Sequence, residues 1–161
     1  MRIVGIDPGL NATGYGIIDV EDDHCVHIHH GVVRTRPAAS LADRLVTIRD
    51  GVRAVAGEWN AGIGAIESSF VGNNARSALA LGHARAAAIL GLADAGLAVH
   101  EYAPALVKQT VVGYGRGEKA QVATMVQLQL ALAATPSPAD AADALAVALT
   151  HWAHARLAAR I

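Results

Sequence analysis

Apolar residues near the start of the chain occur in short runs that end at turn-forming residues. Residues 2–6 are mostly apolar and lead into Asp7 and a Pro8-Gly9 turn, and further runs cover residues 14–20 and 24–34. Because proline and glycine interrupt regular structure, apolar runs of this length predict strands. The links between the runs are short, so we expect the three strands to form an antiparallel meander.

Helical periodicity first appears after these runs. Ser40 is a candidate N-cap, and apolar residues recur behind it every three or four positions to about residue 59. We predict helices at 41–59, 74–95, 104–112, 118–133 and from 139 towards the C-terminus, and further strands at 62–67 and 97–102. This order is typical of an α/β fold, with one mixed five-stranded sheet flanked by helices on both faces. We expect a single domain covering residues 1–161.

The composition excludes some classes of protein. The chain has 161 residues and a formal net charge of −1, from 13 Lys+Arg and 14 Asp+Glu. This balance excludes a uniformly basic nucleic-acid-binding protein. Cys25 is the only cysteine, which excludes an intrachain disulfide and favours a reducing compartment such as the cytoplasm. We expect neither a signal peptide nor a membrane span, because no apolar run is long enough.

Two carboxylates come at the ends of predicted strands. Asp7 ends the first strand and Glu67 ends the fourth. Open α/β folds place their functional sites at the carboxyl ends of strands. If these two strands are parallel neighbours, the two side chains meet. For Asp7 the alternative is a structural role, in which its side chain caps the Pro8-Gly9 turn.

Two further carboxylates lie on the last predicted helix. Asp140 and Asp143 are three residues apart and therefore share one helix face. A capping box with Ser137 as N-cap is an alternative explanation for Asp140, but not for Asp143. Residues 139–149 are otherwise apolar, which indicates a buried helix. A buried carboxylate is costly unless it is paired or binds a metal, so we favour a metal or catalytic role for Asp143.

Four carboxylates brought together from three elements would repel one another. Divalent cations relieve such repulsion, and Mg²⁺ or Mn²⁺ prefers oxygen ligands. Two such ions, roughly 4 Å apart, can stabilise the attacking and leaving oxygens of phosphoryl transfer. The residues alone therefore predict phosphodiester or phosphoryl chemistry.

Five motifs spread along nearly the whole chain resemble those of RuvC-type Holliday-junction resolvases. They are GIDPG at 5–9 with TGYG at 13–16, AIE at 65–67, VKQTVVG at 107–113, EKAQV at 118–122 and ADAADALA at 139–146. The resemblance implies a ribonuclease-H-like fold and a homodimer that nicks four-way DNA junctions symmetrically, with Mg²⁺ as cofactor and Mn²⁺ as a substitute. It implies that the catalytic and metal-binding residues, for one or two ions per site, are Asp7, Glu67, Asp140 and Asp143. It also suggests a branch-migration motor as a partner.

The resemblance further implies residues that contact DNA. An aromatic residue at the position of Phe70 lies near the junction crossover in the family, where it can stack on an unpaired base. The alternative for Phe70 is a loop anchor on the core. Lys108 and Lys119, the only two lysines, fall inside family motifs and are implied to contact DNA or assist at the scissile phosphate. Further candidate contacts are Asn73, Asn74, Arg76 and Arg116, with helix capping as the alternative for the two asparagines.

A cluster of histidines surrounds Cys25 on the third predicted strand. Its members are His24, His27, His29 and His30. Strand alternation would put His24 and His30 on one face and Cys25, His27 and His29 on the other. We therefore predict edge-strand histidines rather than a soft-metal site.

Three other functional classes share parts of this pattern. Actin-like ATPases and sugar kinases also carry Asp-x-Gly after a first strand, but 161 residues leave no room for their second lobe. An RNA-processing nuclease of the same superfamily would not need Phe70 or the two lysine motifs. A non-catalytic junction-binding protein would not need all four carboxylates.

Overall fold

The order of elements in the structure follows the predicted order. The computed structural model describes residues 1–68, 72–114 and 118–159, so the candidate DNA contacts Phe70 and Arg116 lie outside the described residues. The elements are β1 (Arg2–Asp7), β2 (Ala12–Glu21), β3 (His24–Arg34), α1 (Leu41–Glu58), β4 (Ile63–Glu67), α2 (Ala75–Asp94), β5 (Ala98–Tyr102), α3 (Pro104–Val112), α4 (Lys119–Gln129) and α5 (Ala139–Ala158).

One mixed sheet contains all five strands, in the order β3-β2-β1-β4-β5. The strand β1 pairs antiparallel with β2 and parallel with β4, and β4 pairs parallel with β5. The predicted meander and mixed five-stranded sheet are therefore confirmed. In the register, Ile6 lies opposite Ile66, so β1 and β4 end side by side at the same edge of the sheet.

Alternation along the strands divides the core between the two faces of the sheet. Ile3 and Ala65 pack with apolar residues of α3, α4 and α5, whereas Val4, Ile6 and Ile66 pack with those of α1 and α2. Each fully buried isoleucine stabilises the fold by roughly 1.5–3 kcal/mol. Along β1 and β4, the odd-numbered residues therefore point towards α5, as Ile3 and Ala65 do.

Glycines let α5 lie directly against β1 and β2. A Cβ atom on Gly5 would come within 2.1 Å of the Ala144 carbonyl oxygen, and one on Gly14 within 2.0 Å of the Asp140 carbonyl oxygen. No real side chain tolerates such distances, so both positions require glycine. This close approach places the first turns of α5 over the end of β1.

Two helix ends differ from the predictions. The predicted capping box with Ser137 as N-cap of the last helix is wrong, because the chain enters α5 one residue later, with Pro138 at the N-cap position and no side-chain cap. Helix α4 ends at Gln129 rather than at residue 133, since Ala131 adopts a left-handed backbone conformation with φ 50°. A capping box does occur at the start of α4, where the side chains of Glu118 and Gln121 satisfy each other's backbone amides.

The histidine cluster on β3 is arranged differently from the simple alternation. A β-bulge opposite Ile17 and Ile18 shifts the register of β3, so that His27 and His30 meet with Nε2 and Nδ1 2.7 Å apart. The prediction that these two histidines lie on opposite faces is therefore wrong, because the extra residue of a bulge reverses the alternation. His29 instead stacks on Trp59, with ring centroids 4.6 Å apart.

The helices among the described residues are too short or too polar to span a membrane. In the part of the chain that the structure describes, none is both long and apolar enough to cross a bilayer.

The contact between β1 and α5 can be tested by adding one methyl group. Gly5→Ala should lower the free energy of unfolding by about 2 kcal/mol or more, because its Cβ would overlap the backbone of α5. Gly57→Ala is the control, since an added Cβ there meets nothing within 4 Å and alanine favours the helix by up to ~1 kcal/mol. Urea unfolding followed by circular dichroism measures both. Equal stabilities of the two variants would contradict the close packing of α5.

Candidate active site

A pocket of about 140 Å³ opens at the edge of the sheet where β1 and β4 end. Its charged lining consists of Asp7, Glu67, Asp143, Lys108 and Lys119. These residues come from β1, β4, α3, α4 and α5. The structure thus brings together three of the four predicted carboxylates and both lysines.

The direction of each carboxylate follows from the alternation of its strand. Ile6 and Ile66 pack on the side of α1 and α2. Asp7 and Glu67, each the next and last residue of its strand, therefore point to the side of α5. Asp143 lies in the first turns of α5, which the glycine contacts hold above β1.

Asp140 lies beside this pocket rather than in its lining. It belongs to the first turn of α5, where its backbone carbonyl packs against Gly14. Its negative charge is close enough to raise the pKa of Asp7. Asp140 is therefore part of the same electrostatic cluster.

Burial and mutual repulsion disfavour the charged forms of the carboxylates in the pocket. Burial, followed by the charges of Glu67, Asp143 and Asp140, raises the pKa of Asp7 to about 8. Burial and the charge of Asp143 also raise the pKa of Glu67. Without a cation, Asp7 therefore retains its proton at neutral pH.

Lys119 provides part of the compensating positive charge. Its Nζ lies 3.0 Å from Oδ2 of Asp143, and this carboxylate raises the pKa of the ammonium. Lys119 consequently stays protonated and cannot act as a general base. Its side chain is 75% exposed, whereas that of Asp143 is 17% exposed, so the ammonium remains accessible to a ligand. The charge of Lys108 acts on Glu67, whose pKa it lowers.

The chemistry of the donors suits a hard divalent cation. Carboxylate oxygens are the ligands that Mg²⁺ and Mn²⁺ prefer, and a cation would relieve the repulsion that keeps Asp7 protonated. Across residues 1–68, 72–114 and 118–159, however, no three His, Cys, Asp or Glu side chains already surround one metal position. The donor set therefore fits the cation by its chemistry.

The candidate DNA contacts at the start of α2, namely Asn73, Asn74 and Arg76, lie outside the lining of the pocket. The Asn74 side chain accepts a hydrogen bond from the Ser77 amide at 3.1 Å and is the N-cap of α2. The capping alternative is therefore confirmed for Asn74. Asn73 and Arg76 are exposed beside it.

Tyr102 and His151, which are not among the predicted site residues, brace the strand that carries Glu67. The hydroxyl of Tyr102 lies 2.8 Å from Nδ1 of His151, and the Tyr102 carbonyl accepts the Ser68 amide. Tyr102 pairs with Glu67 across β4 and β5. Burial and then nearby His100 lower the pKa of His151 to about 4, so its ring is neutral at physiological pH. Only the position of His151, two helical turns after Asp143, pointed to it in the sequence.

Comparisons with solved structures show the predicted ribonuclease-H-like α/β fold. The chain superposes on Thermus thermophilus RuvC in complex with a Holliday junction substrate with a TM-score of 0.91 and 34% identity, over 98% of this chain and 96% of that one. Yeast mitochondrial Holliday junction resolvase Ydc2 shares the fold alone, with a TM-score of 0.63 and 12% identity over 92% of this chain and 77% of that one.

Sequence comparisons assign the family. The chain is 51% identical to the crossover junction endodeoxyribonuclease RuvC of Paramagnetospirillum magneticum, over 96% of this chain and 92% of that protein. It is 47% identical to RuvC of Caulobacter vibrioides, over 99% of this chain and 93% of that protein. The family model described as crossover junction endodeoxyribonuclease RuvC matches residues 3–151. With agreement at this level along nearly its whole length, the chain belongs to the RuvC family of crossover junction endodeoxyribonucleases.

Proposed function

We propose that this chain is an endonuclease that resolves four-way DNA junctions by paired, symmetric nicks during recombination and repair. The observation that carries the proposal is the pocket that joins Asp7, Glu67 and Asp143 to two lysines in a chain of the RuvC family. One relative, Thermus thermophilus RuvC, has a solved structure in complex with a Holliday junction substrate. The reaction is hydrolysis of a phosphodiester, which leaves a 5′-phosphate and a 3′-hydroxyl.

The four carboxylates Asp7, Glu67, Asp140 and Asp143 are the proposed catalytic and metal-binding residues. Together they would hold one or two Mg²⁺ ions, or Mn²⁺ in their place. When bound there, the cation would activate water and stabilise the charge that develops on the leaving oxygen. The protein's own part is to hold these side chains close together against their mutual repulsion, and a bound cation would favour their deprotonated forms.

The positive residues of the pocket are proposed to bind the substrate phosphate. Lys119 is held beside Asp143 and is accessible, so its ammonium can contact a phosphate placed next to the carboxylates. Lys108 lines the same pocket. We extend the DNA contacts to Asn73, Arg76, Phe70 and Arg116 on the basis of family resemblance. Asn74 acts through its cap, which orients the start of α2.

A homodimer is the proposed assembly, with the groove between α1 and α2 as its interface. Leu45, Val46, His83 and Leu90 line this groove. Val46, Leu79 and Leu90 are 47%, 65% and 55% exposed, which is unusual for large apolar residues on adjoining helices. A second copy would cover them through a two-fold interface and would present two active sites to a two-fold symmetric junction.

The cellular setting completes the proposal. The whole chain, residues 1–161, would work as one nuclease domain in the cytoplasm, where the chromosomes of its bacterial relatives lie. A branch-migration motor is the proposed partner that delivers junctions to the dimer.

Cleavage assays with Asp7→Asn test the catalytic role of the pocket. The variant should bind a labelled four-way junction as tightly as the parent but cut it at least roughly 1000-fold more slowly, because it lacks one charged ligand. The parent should nick the junction in Mg²⁺ but not in EDTA, and should leave a duplex and an RNA of matched length intact. Asp50→Asn, which changes an exposed carboxylate of α1, is the control with unchanged cutting. Normal cutting by Asp7→Asn would refute the proposal.

The raised pKa of Asp7 predicts a pH-dependent stability in EDTA. Between about pH 4 and pH 8 the folded chain holds a proton on Asp7 that the unfolded chain has lost, so its stability falls as the pH rises. Asp7→Asn should reduce this dependence, the remainder coming from the raised pKa of Glu67, and should exceed the stability of the parent at pH 9 by a few kcal/mol, on the order expected for a shifted buried carboxyl.

Urea unfolding at pH 5 and pH 9 measures this difference. Asp50→Asn again is the control, since an exposed carboxylate contributes little to stability. If Asp7→Asn were less stable than the parent at pH 9, the carboxylates of the pocket could not repel one another as the structure indicates.

The proposed interface can be tested on the exposed apolar face of α2. Leu90→Glu should convert the dimer into a monomer, because it places a charge on both sides of a two-fold contact. Sedimentation velocity reads the assembly, and junction assays should show unpaired nicks at a rate at least about 10-fold lower. Leu128→Glu on α4 is the control, as this leucine is 65% exposed away from the groove. A dimeric Leu90→Glu variant would place the interface elsewhere.

A further inference from the structure

The turn that follows Asp7 is held from outside by an arginine of α1. Arg44 donates from Nη2 to the Leu10 carbonyl at 3.2 Å and to Oδ1 of Asn11 at 2.5 Å, and from Nε to Oγ1 of Thr35 at 2.9 Å. All three acceptors lie either in the turn between β1 and β2 or just after β3. One guanidinium therefore joins the turn, the end of β3 and the start of α1.

Two threonines complete the fixation of this turn. Thr35 donates from its hydroxyl to the Leu10 carbonyl at 2.6 Å, and its amide donates to the Asn11 carbonyl at 3.1 Å. On the inner side, the fully buried hydroxyl of Thr13 donates to the Gly9 carbonyl at 2.9 Å and accepts the Gly9 amide at 3.3 Å. The backbone directly after Asp7 is thus hydrogen-bonded on both sides.

This fixation acts on the turn that follows Asp7, whose charged form is disfavoured by burial and by its acidic neighbours. When Asp7 is deprotonated, burial and the charges of Glu67, Asp143 and Asp140 all favour its movement towards water. A turn free to relax would permit that movement. Hydrogen bonds that fix the backbone after Asp7 oppose this movement.

We infer that Arg44 is a positioning residue for Asp7, which it keeps in the acidic pocket by clamping the turn that follows β1. The inference rests on the proposed role of Asp7 as a metal-binding carboxylate. Arginine suits this task because its planar fork offers several donors in fixed directions. Lysine would keep the charge but could not reach all three acceptors with the same geometry.

Two other roles for Arg44 make different predictions. A direct phosphate contact would weaken junction binding when the side chain is removed, in proportion to the loss of cutting. A contribution to stability alone would lower the melting temperature and leave the metal requirement unchanged. A positioning role changes the affinity for the metal while junction binding and the fold are retained.

The test uses the full chain with Arg44→Ala, Arg44→Lys and Asn11→Ala, the last of which removes one acceptor and is the mildest. Arg53→Ala changes an exposed arginine of the same helix and is the matched control. Direct Mn²⁺ binding by electron paramagnetic resonance without DNA, junction binding in EDTA, cutting against Mg²⁺ concentration and thermal unfolding are measured for each. Asp7→Asn is the reference for complete loss.

For Arg44→Ala we expect the Mn²⁺ dissociation constant and the half-saturating Mg²⁺ concentration to rise about 10-fold, with junction affinity changed less than 2-fold. Arg44→Lys and Asn11→Ala should lie between this variant and the parent, and high Mg²⁺ should restore part of the lost rate. Unchanged Mn²⁺ binding in all three variants, or a loss of cutting that follows junction affinity, would overturn the inference. If Asp7→Asn itself cut normally, the proposed function would fail instead. If Arg44→Ala does not fold, the two milder variants decide the question.

Discussion

Mutual repulsion among carboxylates is the constraint on which the site depends. Asp7 and Glu67 end neighbouring parallel strands, and Asp143 of α5 lines the same pocket. The cost is visible in the pKa of Asp7, which burial and its acidic neighbours raise to about 8. Such a cluster lowers the stability of the protein without a cation. A bound divalent cation would relieve the repulsion, which favours its binding.

The rest of the architecture can be understood as what holds these groups in place. Glycines in β1 and β2 bring the backbone of α5 into contact with the sheet, which keeps the turn that carries Asp143 beside the end of β1. Tyr102 and His151 brace the strand end at Glu67. Hydrogen bonds from Thr13 and Arg44 hold the turn after Asp7. Each of these three carboxylates thus has its own support in a different part of the fold.

Lys119 offsets part of the negative charge of the pocket and stays accessible from the solvent. The ammonium of Lys119 pairs with Asp143 and remains largely exposed, so it can exchange one anionic partner for another. A phosphate diester is such a partner. The near-neutral net charge of the chain therefore does not argue against DNA, since several of its acidic residues lie in the pocket and are the proposed metal ligands. A second acidic group around Asp19 and Asp23 pairs with Arg2 and Arg156, at the end of the sheet opposite Asp7.

Sequence alone was sufficient for features that depend on local patterns. Apolar runs, the Ser40 cap and the Pro8-Gly9 stop predicted the elements, and the positions of Asp7 and Glu67 at strand ends predicted their meeting. The motifs predicted the family. Tertiary structure decided what depends on residues distant in the chain: the bulge that joins His27 to His30, the glycine contacts that seat α5, and the reach of Arg44 to Leu10. Local periodicity carries no information on such distances, because they are set by how the packed elements meet.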